Sequence, residues 1–98
     1  DAGISGKTAW KVSEKLGILG RTHQIICITH LPQIAAMADV HFLIEKSVVG
    51  ENTVSRIRPL EKEESVAELA RMIGGVAITD TVLKSAREMK ELALHEKK

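Results

Sequence analysis

Apolar and polar positions change period several times along the chain. Ala9, Val12, Leu16 and Leu19 recur at helical spacing, which predicts a helix over 7–19 with one apolar stripe. Gly20 closes it, with Arg21 near the negative end of its dipole. Residues 24–29, Gln-Ile-Ile-Cys-Ile-Thr, are a β-branched run and read as a buried central strand. Pro32 suits the first turn of a helix, where its missing N–H costs nothing, so a short helix is expected over 32–38. His30 then falls where a strand's carboxyl end meets a helix start, the edge at which α/β sheets bind ligands.

Residues 40–60 alternate instead. Val40, Phe42 and Ile44 are interleaved with His41, Leu43 and Glu45, Gly50-Glu51-Asn52 interrupts, and Thr53 to Arg58 resumes. This predicts an antiparallel hairpin, with Lys46, Arg56 and Arg58 on its solvated or edge-facing side. A helix follows over 61–73. Val66, Leu69, Ala70 and Ile73 form its buried face, Glu61, Glu63 and Glu64 favour its positive end, and Gly74-Gly75 ends it. A last helix starts at Thr79 or Asp80 and buries Val82, Leu83, Ala86, Met89 and Ala93, with His95 to Lys98 expected to fray. The fold class is α/β: a central strand, a β-hairpin and flanking helices. A lone strand of parallel type needs neighbours on both sides, and this sequence does not supply them. The chain therefore reads as a piece of a longer protein, and its cut sheet edge is expected to pair with a second copy.

Composition narrows the function classes. Ninety-eight residues allow one small domain, and 44% apolar content suits a packed one. Fourteen basic side chains against thirteen acidic ones leave no net field to draw nucleic acid to this segment by itself. The single cysteine, Cys27, excludes an internal disulfide and fits a reducing cytosol. Trp10 and Phe42 are too few to form a stacking platform for single strands. No apolar run has the length of a membrane span, and no signal peptide is visible.

Few residues carry chemistry on spacing alone. Gly6-Lys7-Thr8 at a helix start is similar to the end of a phosphate loop. The glycine that should stand five positions before Gly6 is Asp1, whose carboxylate repels phosphate. The competing reading is a surface lysine and a first-turn threonine. His30 can donate to a phosphate oxygen, or it can be a turn histidine bonded to a backbone carbonyl. In a strand His23 and Cys27 point to one face and His30 to the other, so they make no metal site, and Cys27 reads as a small buried core residue. Trp10 lies beside the first helix's stripe, either as a core contact or as a contact with another domain or subunit.

Four stretches together closely resemble the C-terminal end of the RecN family, bacterial double-strand-break repair ATPases related to SMC and ABC proteins. They are Asp1-Ala2-Gly3-Ile4-Ser5-Gly6, Thr29-His30-Leu31-Pro32-Gln33-Ile34-Ala35-Ala36-Met37-Ala38-Asp39, His41-Phe42-Leu43-Ile44-Glu45-Lys46 and Glu68-Leu69-Ala70-Arg71-Met72-Ile73-Gly74-Gly75. The resemblance covers nearly the whole chain. It implies the C-terminal part of a P-loop ATPase head: a D-loop at 1–6, a switch-histidine loop at 29–33, the hairpin at 40–60 and C-terminal helices at 61–96. Asp1, Ala2, Gly3, Ile4, Ser5 and Gly6 would contact a second subunit across the nucleotide. His30 would sense the γ-phosphate, with Gln33 assisting. Walker A, signature motif, Walker B and coiled coil are all absent from this sequence. ATP and Mg²⁺ would therefore be held by the intact protein, and this segment alone is expected to be inactive.

The implied partners are the N-terminal part of the same head, a second RecN-like subunit, and DNA through the full-length protein. The implied place is the bacterial cytoplasm, at the nucleoid. Two other readings stand beside this one: a stand-alone nucleotide-binding protein using Gly6-Lys7-Thr8, and a small non-enzymatic interaction domain using the hairpin edge and Trp10.

Overall fold

In the computed structural model, residues 5–97 are described. Among them the order runs α1 (Gly6–Leu19), α2 (Pro32–Ala36), β1 (Phe42–Val49), β2 (Asn52–Pro59), α3 (Lys62–Gly74) and α4 (Asp80–Lys97). Local chemistry sets most of these limits. Ser5 caps α1 by accepting from the Thr8 N–H at 3.2 Å. Pro32 opens α2 in its first turn. Glu61 and Glu64 form a reciprocal capping box at the start of α3. Gly75 stops that helix with φ +69°, a backbone angle only glycine adopts cheaply. Thr79 caps α4, its hydroxyl accepting from the Val82 N–H at 3.2 Å.

β1 and β2 pair antiparallel, with Phe42 opposite Pro59 and Val49 opposite Asn52. That register leaves a two-residue loop, Gly50-Glu51, in which only Gly50 has positive φ, at +63°. Positive φ at the first central residue alone is the mark of a type II′ turn. Asn52 thus belongs to the ladder and not to the break. Because facing residues share a side, Lys46 lies with Phe42, Ile44, Val48 and Ile57, whereas Arg56 and Arg58 share the other side with Glu45. No helix packs along the hairpin among the described residues. Its base is tied down instead: Leu60 N–H donates to His41 O at 2.8 Å, and Arg58 bridges Glu45 on β1 to Glu64 on α3.

The core lies between α2, α3 and α4. Leu69, Ala70, Ala86 and Ala93 have no exposed surface, and Val66, Ala35, Ala36 and Met37 complete the cluster. The alanines put little side chain between helices, so the helices approach closely. A Cβ on Gly74 would lie 3.1 Å from Val82 Cγ1, and one on Gly17 3.1 Å from Met37 Sδ. Trp10 packs against this cluster, so the core-contact reading of that residue holds.

Five expectations need correction. Residues 24–29 form no strand among the described residues; a strand is a property of a ladder, and nothing there pairs with them. Ile26 and Ile28 are 87% and 85% exposed, and Cys27 is exposed too, not a core residue. The stripe of α1 is rotated: Ala9 and Ser13 are buried, while Val12 and Leu19 face out. The close approach of Met37 to Gly17 fixes that rotation. Ile73 is likewise on the exposed side of α3, whose buried residues are Ser65, Val66, Leu69 and Ala70. The C-terminal end does not fray through His95–Lys97: α4 continues to Lys97, whose ammonium meets Asp39 at 3.0 Å.

Candidate functional site

Two places where polar groups meet sit at opposite ends of α2. The first is at its start. Gly6 opens α1, and a Cβ there would lie 3.1 Å from Gln33 Nε2, so the beginnings of α1 and α2 touch through a glycine and an amide. Any side chain at position 6 would push Gln33 aside. The Gln33 carbonyl oxygen, Oε1, is buried and accepts no hydrogen bond from the described residues. An orphaned buried acceptor is costly, by about 1–3 kcal/mol, so it marks a place where a donor is wanted. His30 stands one turn ahead of Gln33 in sequence, exposed, at the bend before α2. That bend is set by Thr29, whose hydroxyl oxygen accepts the Leu31 N–H at 3.0 Å across His30.

The structure therefore brings together Ser5, Gly6 and Gln33, with His30 on the adjoining bend. Asp1, Ala2, Gly3 and Ile4 lie outside the described residues. Lys7 and Thr8 are exposed in the first turn of α1, and Ser5 already occupies the Thr8 N–H that a phosphate loop would turn to its ligand. Among the described residues no three His, Cys, Asp or Glu side chains converge as metal ligands.

The second place is at the other end of α2, and the periodicity reading missed it. Ser65, 2% exposed on α3, meets His41 Nδ1 at 2.7 Å and Lys90 Nζ at 2.9 Å. An ammonium can only donate, so Lys90 donates to Ser65 Oγ, and the direction of the second bond follows the tautomer of His41. Burial lowers the His41 pKa below the ordinary value, the nearby Lys90 charge lowers it further, and Glu68 opposes both. Lys90 is lowered as well, by burial first and then by Lys97 and Lys62. A cleft of about 310 Å³ opens beside this trio. The available signal was Ser65 itself: a hydroxyl on the apolar stripe of Val66, Leu69 and Ala70 must find a partner.

No family model matches the chain. Curated relatives match it over nearly its whole length. The chain is 46% identical over 89 residues to DNA repair protein RecN of Bacillus subtilis, covering 91% of this chain. It is 44% identical over 93 residues to the RecN protein of Halalkalibacterium halodurans, and 45% identical over 93 residues to that of Mycobacterium tuberculosis, each covering 95% of this chain. In every one of these comparisons the chain spans only 16% of the relative's length. The resemblance carried by the sequence motifs thus extends along almost every residue here.

Proposed function

We propose that this chain is the C-terminal lobe of a RecN-type ATPase head acting in DNA double-strand-break repair and recombination. In this reading the lobe contributes two pieces to an ATP site completed by the N-terminal part of the head. Residues 1–6 are a D-loop against a second subunit, and His30 with Gln33 faces the γ-phosphate. The observation that supports it is the close approach of Gly6, at the start of α1, to Gln33, in the first turn of α2. The chemistry of the donors fits ATP and Mg²⁺. The imidazole of His30 can donate to a phosphate oxygen, and the unpartnered Gln33 Oε1 can accept from a water or a metal-bound water. ATP and Mg²⁺ supply the phosphoryl group and the charge neutralisation; His30 and Gln33 orient and sense.

Exposed apolar side chains give the lobe its partner surface. Ile26 and Ile28, and Val48 and Ile57 on one side of the hairpin, are the places where the rest of the head would add its sheet. Self-pairing of the isolated chain follows from the same exposure.

The test is titration of the 98-residue chain with a labelled, non-hydrolysable ATP analogue and Mg²⁺. The expected result is no saturable binding and no turnover of ATP, because the phosphate cradle belongs to the absent portion. Saturable binding that Lys7→Ala abolishes would overturn this in favour of a stand-alone phosphate loop.

A further inference from the structure

Lys90 is a half-buried cation whose hydrogen-bond partner among the described residues is a neutral hydroxyl. Its ammonium donates to Ser65 at 2.9 Å, and no carboxylate lies within ion-pair distance of it among the described residues. Two further ammonium groups, Lys62 at the start of α3 and Lys97 at the end of α4, line the same cleft. Lys97 is already paired with Asp39, and the other acid on the cleft wall, Glu91, is exposed at the rim. Lys90 and Lys62 are therefore left with uncompensated charge beside a neutral imidazole. Concentrating like charge around a partly desolvated cation is unfavourable unless an anion is the intended occupant.

We propose that the cleft between α3, α4 and the 38–41 segment binds a phosphate group, held by Lys90 and Lys62 with Ser65 and His41 fixing the geometry. The cleft volume of about 310 Å³ accommodates a tetrahedral oxyanion with its water. Lys90 keeps two N–H donors after serving Ser65, and ammonium-to-phosphate hydrogen bonds are among the stronger ones a side chain makes. The hydroxyl of Ser65 holds Lys90 at 2.9 Å and His41 at 2.7 Å, so the donor is positioned before the ligand arrives. This site is independent of the ATP reading: it lies at the far end of α2 from Gln33 and uses none of the residues placed there. The phosphate has two sources, a free phosphate or phosphorylated small molecule, and the phosphodiester of a nucleic-acid backbone.

The experiment follows the His41 ring protons by NMR while inorganic phosphate, or a short DNA duplex, is added to the 98-residue chain at constant ionic strength. The polar and charged groups sharing the cleft with His41 are Lys62 and Ser65 on α3, Lys90, Glu91 and Lys97 on α4 and Asp39 ahead of β1, and Glu68 on α3 also acts on its charge. An anion among them offsets Lys90 and moves the His41 titration upward. The expected result is a saturable upward shift with phosphate that chloride does not reproduce. Lys90→Met should weaken it about tenfold. Lys62→Gln, at an exposed position that leaves the core untouched, should weaken it about threefold. A shift with the duplex as well assigns the backbone as source, and a shift with phosphate alone assigns a small ligand. No shift with either, or the same affinity in both variants, overturns the proposal.

Discussion

Ser65→Ala is the substitution that tests the polar relay most sharply. It removes a hydroxyl of 2% exposure that accepts from Lys90 and shares a hydrogen bond with His41 Nδ1. Two terms add. A hydrogen bond from a charged donor is worth about 1.5–3 kcal/mol and a neutral one about 1 kcal/mol. Lys90 is only half-buried and can swing its ammonium back to water, so the lower end of the first range applies. The sum is about 2.5 kcal/mol, eased to about 2 kcal/mol by burying a methyl group in its place.

The relay also predicts a pH dependence, and its sign is fixed. The folded state holds His41 neutral with a pKa below the ordinary 6.5, so the unfolded chain takes up the proton first as pH falls. The contribution is fully present above 6.5 and is lost as pH drops through the lowered folded value. Urea unfolding at several pH values between 5 and 8 reads both effects. The wild-type chain should lose stability on acidification, and His41→Gln should flatten that slope. Ser65→Ala should be about 2 kcal/mol less stable than wild type at pH 7.5. An unchanged slope in His41→Gln, or a Ser65→Ala variant as stable as wild type, would refute the relay.

Other perturbations test the packing. Leu69 has no exposed surface and lies among alanines that cannot expand to fill a hole, so Leu69→Ala should cost about 2–5 kcal/mol in urea unfolding. Gly75→Ala forces a Cβ onto φ +69° and should cost about 1–2 kcal/mol, although the site has open space around it. Asp39→Asn breaks the tie to Lys97, but the aspartate is largely exposed, so the loss should stay under about 1 kcal/mol. It should nevertheless raise amide exchange in the last turn of α4.

The sequence was most informative where an element is specified by its own residues. Alternation around Gly50 announced the hairpin, and Pro32, the acidic run from Glu61 and the Gly74-Gly75 pair marked helix ends, because caps and turns are local chemistry. It was least informative where the answer depends on what lies opposite. Residues 24–29 have strand composition, yet a ladder needs a partner that the described residues do not contain. The face of α1 could not be read from spacing because Gly17, and not a larger residue, is where Met37 docks. At the site, His30 was legible from its place ahead of Pro32, whereas Gln33 entered only through the family resemblance. The meeting of Gln33 with Gly6 was not legible, since it depends on how α1 and α2 pack. His41, Ser65 and Lys90 are joined across 24 and 25 residues of chain, which no short pattern encodes.

The central claim is that the bend before α2 presents His30 to a nucleotide held mainly by other parts of a RecN-type head. The most direct test is kcat for ATP hydrolysis by the full-length protein carrying this segment, compared between wild type and His30→Ala, with nucleotide affinity measured alongside. The account predicts a fall of about 10²-fold in kcat with affinity nearly unchanged, as for loss of one donor to a transition-state oxygen. A variant that hydrolyses ATP at the wild-type rate would contradict it.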